Sequence, residues 1–433
     1  RCWWTAATRS WAEPVAEDIH IDDLAEPRLN EAQQAALAWG ESQPVELTSA
    51  AVLAAARART GLEDFGAPDF RERLELLCSE WGGDRALTAM HRAVLFGYLV
   101  RYASNRLLIE DTLRRHPQIL EQKIDRPVIV TGLPRSGTTH LVNLLAADAR
   151  FHSLPLWESY EPVPLPGEAP LPDGTDPRYA RCAAAWEGMR QVTPLLASMH
   201  PMEPDHIHEE LELMGPDFAS YNFEWLTMSP RWRAHYQGHD QRPHYEYLKR
   251  VLQLLQWQRG ERGKRWVLKC PQHLEQIPVL LEVFPDATVV FTHRDPVAVV
   301  QSTLTMQAYT QRMQRPKVEI GWLRDYWISR IEQLLRACVR DRELARAGRS
   351  VDCPFHVFMR DPWKILAEVY QKAQLPLTAA ARGALEHYLA SHPRGKAGQV
   401  VYHLQRDFGV DPHQLRGRFR FYFDRFEVRP ENS

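Results

Sequence analysis

The chain has 433 residues, with 53 Lys+Arg against 55 Asp+Glu (net charge -2), and is 44% hydrophobic and 25% charged. That composition is the globular average and excludes collagen, coiled coil and intrinsic disorder. The near-neutral charge removes the electrostatic case for a nucleic-acid binder, and apolar runs such as 279–284 and 288–292 fall far short of the roughly 20 residues a membrane span needs.

In chain order, residues 1–44 read as irregular, with Trp3, Trp4 and Trp11 among several prolines. From Ser49 to about Leu120 the pattern is helical. The alanine-rich run from Ser49 ends near Gly61, and Asp69 to Trp81 and Asp84 to Leu108 carry apolar residues at helical spacing. Pro127-Val-Ile-Val-Thr-Gly then changes the period. A short, β-branched, continuously apolar run closed by glycine reads as a buried parallel strand. Helix signals resume from Thr138 to Asp148, and residues 162–178, rich in Pro, Gly and Asp, predict a long surface loop. Trp266–Lys269, a helix over about Leu274–Phe284 and Thr288–His293 together predict a βαβ unit, with a fourth strand near Val351–Phe358. The fold class predicted is α/β: a P-loop-like parallel sheet flanked by helices over residues 126–433, preceded by an N-terminal helical extension over 1–125. The six cysteines (Cys2, Cys78, Cys182, Cys270, Cys338, Cys353) form no C-x-x-C pair, which argues against a structural zinc site and a disulfide scaffold. A reducing compartment, the cytoplasm, is expected. Because the chain opens at Arg1, a removed leader would leave no trace.

The stretch Thr131-Gly-Leu-Pro-Arg-Ser-Gly-Thr-Thr139 lies between the predicted strand and helix. Backbone N–H groups and a helix N-terminus converge on an anion in that position. Gly132 and Gly137 bracket four residues as in G-x-x-x-x-G-K-[ST], but Thr138 stands where the lysine belongs and the cation has moved to Arg135. A tight turn with an exposed arginine is the plain alternative. A nucleotide kinase or ATPase, and a non-catalytic nucleotide-binding module, are the competing functions. Against the kinase stand Thr138 and the absence of a convincing magnesium aspartate, since Asp295 follows His293-Arg294 at the strand end.

These residues resemble the 5′-phosphosulfate loop of the sulfotransferase family, in the arginine form of its bacterial-type and tyrosylprotein-type branches. A second block, Leu268-Lys-Cys-Pro-Gln-His-Leu and Val283-Phe-Pro-Asp-Ala-Thr-Val-Val-Phe-Thr-His-Arg-Asp-Pro, is similar to the family's 3′-phosphate block, with Ser302 eight positions after Arg294. The resemblance covers roughly residues 126–400. More weakly, Thr60-Gly-Leu-Glu-Asp-Phe-Gly resembles the helical extension of the bacterial-type branch. The implied donor co-substrate is 3′-phosphoadenosine 5′-phosphosulfate (PAPS), bound without metal by two cationic anion sites. Pro134, Arg135, Ser136, Gly137, Thr138 and Thr139 would make the first, and Arg294 with Ser302 the second. His392-Pro-Arg394-Gly-Lys396 resembles the family's C-terminal loop over the 3′-phosphate, although its order departs from Arg-Lys-Gly.

Sulfuryl transfer needs cations around the transferring group and a base for the acceptor hydroxyl. Arg135, and Lys269 at a strand end where α/β ligands gather, are the expected cations. Glu158, 23 residues after Arg135, resembles the catalytic glutamate of the tyrosylprotein-type branch, and Trp157 and Tyr160 would desolvate it. Cytosolic members use a histidine roughly 60 residues after the loop. His200, His206 and His208 fall 65, 71 and 73 residues after Arg135, with Glu209 beside them, so His208 and its neighbours compete with Glu158 as the base. Met189, Met199, Met202, Met214, Phe218, Tyr221, Phe223, Trp225, Met228 and Trp232 suggest an apolar pocket for a hydrophobic small-molecule alcohol, or ordinary core.

Overall fold

Continuous apolar runs make buried strands only where both faces of a sheet are covered, and β-branched runs of five and six residues supply two adjacent inner strands of this sheet. The computed structural model describes residues 18–261, 263–392 and 398–431. Its strands are β1 (Asp18–His20), β2 (Val128–Gly132), β3 (Phe151–His152), β4 (Arg265–Lys269), β5 (Thr288–His293), β6 (Ser350–Pro354) and β7 (Gln399–Val401). Five form an all-parallel sheet in the order β3-β4-β2-β5-β6. Every residue of β2, β4 and β5 is buried. Alternate residues feed opposite cores, as a two-residue period requires. Val128, Val130, Val267 and Val290 pack with Leu141, Leu145 and Leu366 on one face. Ile129, Leu268, Val289 and Phe291 pack with Leu252, Val300 and Leu304 on the other. The order reverses at β2, so the end of β2 is the position where α/β sheets bind ligands.

The N-terminal region is helical: α1 (Glu31–Glu41), α2 (Ser49–Thr60), α3 (Phe70–Gly83) and α4 (Ala89–Arg115). Thr48 and Thr88 cap α2 and α4 by accepting from Ala51 N and His91 N, and Gly61, at φ 70°, ends α2. Their core is shared with the β3–β4 connection: Phe70, Leu77, Trp81, Leu99 and Tyr102 pack with Phe218, Phe223 and Trp232. The sheet carries α5 (Thr138–Ala146), α6 (Leu156–Tyr160) and α7 (Pro177–Val192) after β2 and β3.

Four expectations are corrected. Residues 31–41, read as irregular, form α1, started by a capping box between Asn30 and Gln33. The expected loop over 162–178 ends at α7, where Asp176 accepts from Arg178 N and Pro177 takes the first turn. The fourth strand stops at Pro354, and a helix over Phe355–Arg360 follows. The helix expected over about 274–284 is a 3₁₀ turn, Pro271–Glu275, followed by a shorter helix, Ile277–Val283. A parallel pair, β1 with β7, ties the start of the described chain to residues 399–401. No helix of the described residues is long and apolar enough to cross a membrane.

Candidate active site

The loop after β2 has left-handed backbone at two positions. Arg135 (φ 68°) and Gly137 (φ 89°) are both left-handed and flank Ser136, the kind of backbone in which successive N–H groups line an anion concavity. A side chain at Gly132 is excluded, because a Cβ there would lie 1.9 Å from Thr292 Oγ1. Ser136 Oγ meets Thr292 Oγ1 at 2.7 Å, which pins the loop to β5. Thr138 and Thr139 open α5, and Thr139 Oγ1 accepts from Lys269 Nζ at 3.1 Å.

Arg135 crosses from this loop to the neighbouring elements. Its Nε donates to Ser302 Oγ at 3.0 Å and its Nη1 donates to the Met199 carbonyl. Ser302, on the helix Pro296–Gln314, donates to Tyr402 Oη at 3.1 Å. Burial, and then the nearby Arg294, push the Arg135 pKa down, but a guanidinium stays charged in a protein. Among the described residues no carboxylate pairs with it. A half-buried cation without a counter-charge is partly desolvated at a cost, and a bound anion lowers that cost. Arg294 adjoins it, donating through Nη1 to the Arg135 carbonyl at 2.7 Å, while Glu431 accepts from its Nε and Nη2. Arg294 and Ser302 thus meet through Arg135. Arg394 and Lys396 lie outside the described residues.

Beside the loop is a cavity of about 570 Å³, lined by Pro134, Arg135, Thr138, Thr139, His200, His208 and Glu209. Its apolar walls include Tyr98, Met189, Trp225, Met306 and Met313, so part of the aromatic and methionine run is wall and part, such as Phe218 and Phe223, is core. Lys269, at the end of β4 and buried, donates to Glu209 as well as to Thr139. Burial raises the Glu209 pKa above the usual carboxylate value, against the pull of Lys269.

The backbone of His208 donates to the Leu154 carbonyl at 2.7 Å, beside a bridge between Pro155 and Ile207, which fixes this histidine next to the end of β3. Burial, followed by the charges of Lys269 and the neighbouring rings, holds His208 and His200 well below 6.5. Both imidazoles are therefore neutral at pH 7, and their centroids stand 5.8 Å apart. His206 lies nearby, its pKa lowered by burial to about 4.

Glu158 is placed elsewhere, outside the lining of this cavity. α6 turns its carboxylate to Arg259, whose Nε stands 3.3 Å from Oε1 and whose Nη2 donates to Oε2. Arg259 also donates to the Ser153 carbonyl at 2.8 Å and stacks on Trp266. β3 is the edge strand, so this pair closes the edge of the sheet, and Glu158 does not line the cavity. Sequence spacing gave no sign of Tyr402 or Glu431; the β1–β7 pair and the C-terminal segment bring them to the two arginines.

A family model described as the Sulfotransferase family matches residues 127–379, which is more than half of the chain. The chain belongs to the sulfotransferase family. The chain is 28% identical over 311 residues to the omega-hydroxy-beta-dihydromenaquinone-9 sulfotransferase Stf3 of Mycobacterium bovis, covering 71% of this chain and 77% of that protein. Among solved structures, sulfotransferase STF9 of Mycobacterium avium superposes with a TM-score of 0.79 at 26% identity, covering 90% of this chain and 99% of that one. Sulfotransferase STF1 of Mycobacterium tuberculosis gives a TM-score of 0.73 at 26% identity, covering 86% and 98%. The α/β fold with its parallel sheet and flanking helices is thus that of known sulfotransferases.

Proposed function

We propose that this sulfotransferase moves the sulfuryl group of PAPS to the hydroxyl of a hydrophobic small molecule. One observation carries the reading: a half-buried arginine with no carboxylate partner among the described residues and a neutral buried histidine line the same apolar cavity. The donor supplies a sulfuryl group on a phosphate leaving group. Loop 134–139 receives its 5′ end, and Arg294 with Ser302 receives the 3′-phosphate; these residues fit because both arginines meet at the loop crown. Arg135 and Lys269 stabilise the charge that develops on the transferring group and the leaving phosphate. His208 accepts the acceptor's proton as the new S–O bond forms, and the apolar walls keep water away. The mycobacterial relative is named for an omega-hydroxylated menaquinone derivative, and a hydrophobic alcohol suits a cavity with these walls.

The helical region over residues 1–125 has a role in this reading. Ala36 and Trp39 of α1 and Met90, Val94 and Tyr98 of α4 line the cavity, so the extension completes the acceptor side and residues 126–433 carry the donor side. The described cysteines are free and buried, which suits a reducing cytoplasm.

Thermal shift with adenosine 3′,5′-bisphosphate in EDTA tests the donor assignment. Ligand at about 100 times its Kd should add about 2.7 kcal/mol of stability. Arg294→Ala should weaken that binding by about 1.5–3 kcal/mol. Stabilisation by ATP with magnesium and not by the bisphosphate would select the kinase reading instead.

A further inference from the structure

Arg294 is gripped by a residue that the proposed reaction does not otherwise use. Glu431 lies in the segment that follows the last helical turn, Arg420–Phe423. Its carboxylate accepts from Nε and Nη2 of Arg294, both at 2.7 Å, while Nη1 donates to the Arg135 carbonyl at 2.7 Å. The guanidinium also lies over the Phe355 ring at 4.2 Å. Glu431 is itself anchored. Its N–H donates to Asp295 Oδ2 at 2.8 Å, and Arg416 Nη2 reaches both that oxygen, at 3.0 Å, and the Glu431 carbonyl, at 3.3 Å. The Asp295 side chain is fully buried and caps the following helix through Val297 N, which gives the strap a rigid base.

A guanidinium has five N–H groups arranged as a planar fork. Glu431 occupies the edge made by Nε and Nη2, and the loop carbonyl takes one hydrogen of Nη1. One hydrogen on each of Nη1 and Nη2 is left for a ligand, and a phosphate oxygen is a suitable acceptor for either. An arginine held beforehand loses little side-chain entropy when its ligand arrives. We infer that Glu431 is a positioning residue for the donor's 3′-phosphate: its bidentate clamp fixes Arg294 so that the remaining Nη1 and Nη2 hydrogens are presented to the ligand. The inference rests on the donor reading above. A carboxylate in a phosphate site repels the ligand. If Glu431 stood in the phosphate's own place, its removal would tighten binding.

Calorimetric titration of the full chain with adenosine 3′,5′-bisphosphate and with adenosine 5′-monophosphate separates these cases. Glu431→Gln is nearly isosteric, and it should weaken the bisphosphate about tenfold while leaving the 5′-monophosphate unchanged. With PAPS, the KM of the donor should rise and kcat at saturation should stay near wild type. Arg294→Lys keeps the charge but offers no fork to clamp, so adding Glu431→Gln to it should change bisphosphate affinity little. The clamp is overturned if Glu431→Gln binds the bisphosphate as tightly as wild type or more tightly, or if both nucleotides weaken equally. A wild-type chain that ignores the bisphosphate overturns the donor reading, which is a distinct result.

Discussion

At the scale of single side chains, burial decides which group can take a proton from an alcohol. A general base must be unprotonated, and burial keeps the imidazole of His208 neutral well below 6.5. The charged form is the disfavoured one, so the acid limb of the rate profile should lie below pH 6.5, with activity retained down to that point. His208→Ala should lower kcat by about 10²–10⁴ while leaving bisphosphate affinity unchanged. Glu158 uses its carboxylate to pair with Arg259 at the sheet edge. Glu158→Gln should therefore cost about 1–3 kcal/mol of stability, with kcat near wild type at temperatures where it is folded. Steady-state kinetics and calorimetry on the two variants check this. An inactive, fully stable Glu158→Gln would return the base assignment to Glu158.

At the scale of elements, the cavity wall offers a way to separate acceptor from donor. Gly188, in α7, lines the cavity, and a Cβ there would meet nothing within 4 Å. Gly188→Phe should fill acceptor space, raising the acceptor KM or abolishing turnover with long acceptors. Bisphosphate affinity should hold, and helix stability should gain about 0.3–0.5 kcal/mol from the loss of glycine. An unchanged acceptor profile would take α7 out of the acceptor wall. What the sequence revealed of these elements follows from how each is buried. β2, β4 and β5 were legible because both faces are covered and the runs are continuously apolar. α1 was not, because the residues it buries are Gln33 and Gly40, and apolar periodicity has nothing to register there. β1 and β7 have three residues each, too few to show a period. The loop and Lys269 were readable from local pattern, since a strand, a turn and a helix N-terminus are neighbours in the chain. The pairing of Glu158 with Arg259 was not legible, because the two are 101 positions apart and only the folded sheet edge brings them together.

At the scale of the whole molecule, buried histidines set the acid limit of stability. Burial lowers His91 and His206 to about 4, and takes His200 and His208 well below 6.5. Each binds a proton more readily in the unfolded chain, so stability rises with pH in the window between the two pKa values. Above about 6.5 these groups are neutral in both states and contribute no slope. The Tm should be level from pH 7 to 8 and should fall steadily from about 6.5 toward 4, in calorimetric scans at constant ionic strength. A Tm that holds to pH 4.5 would show that these rings are solvated in the folded chain. The same interior brings the N-terminal helices and the sheet end to one cavity, where the loop cations meet apolar walls. The most direct measurement is to incubate the purified chain with PAPS and a panel of long-chain primary alcohols and omega-hydroxylated quinones in EDTA, following both products by mass spectrometry. The result expected is adenosine 3′,5′-bisphosphate and a sulfate monoester in equal amounts, both lost in Arg135→Ala. No ester from PAPS, with phosphorylation of the same alcohols by ATP and magnesium, would contradict the assignment.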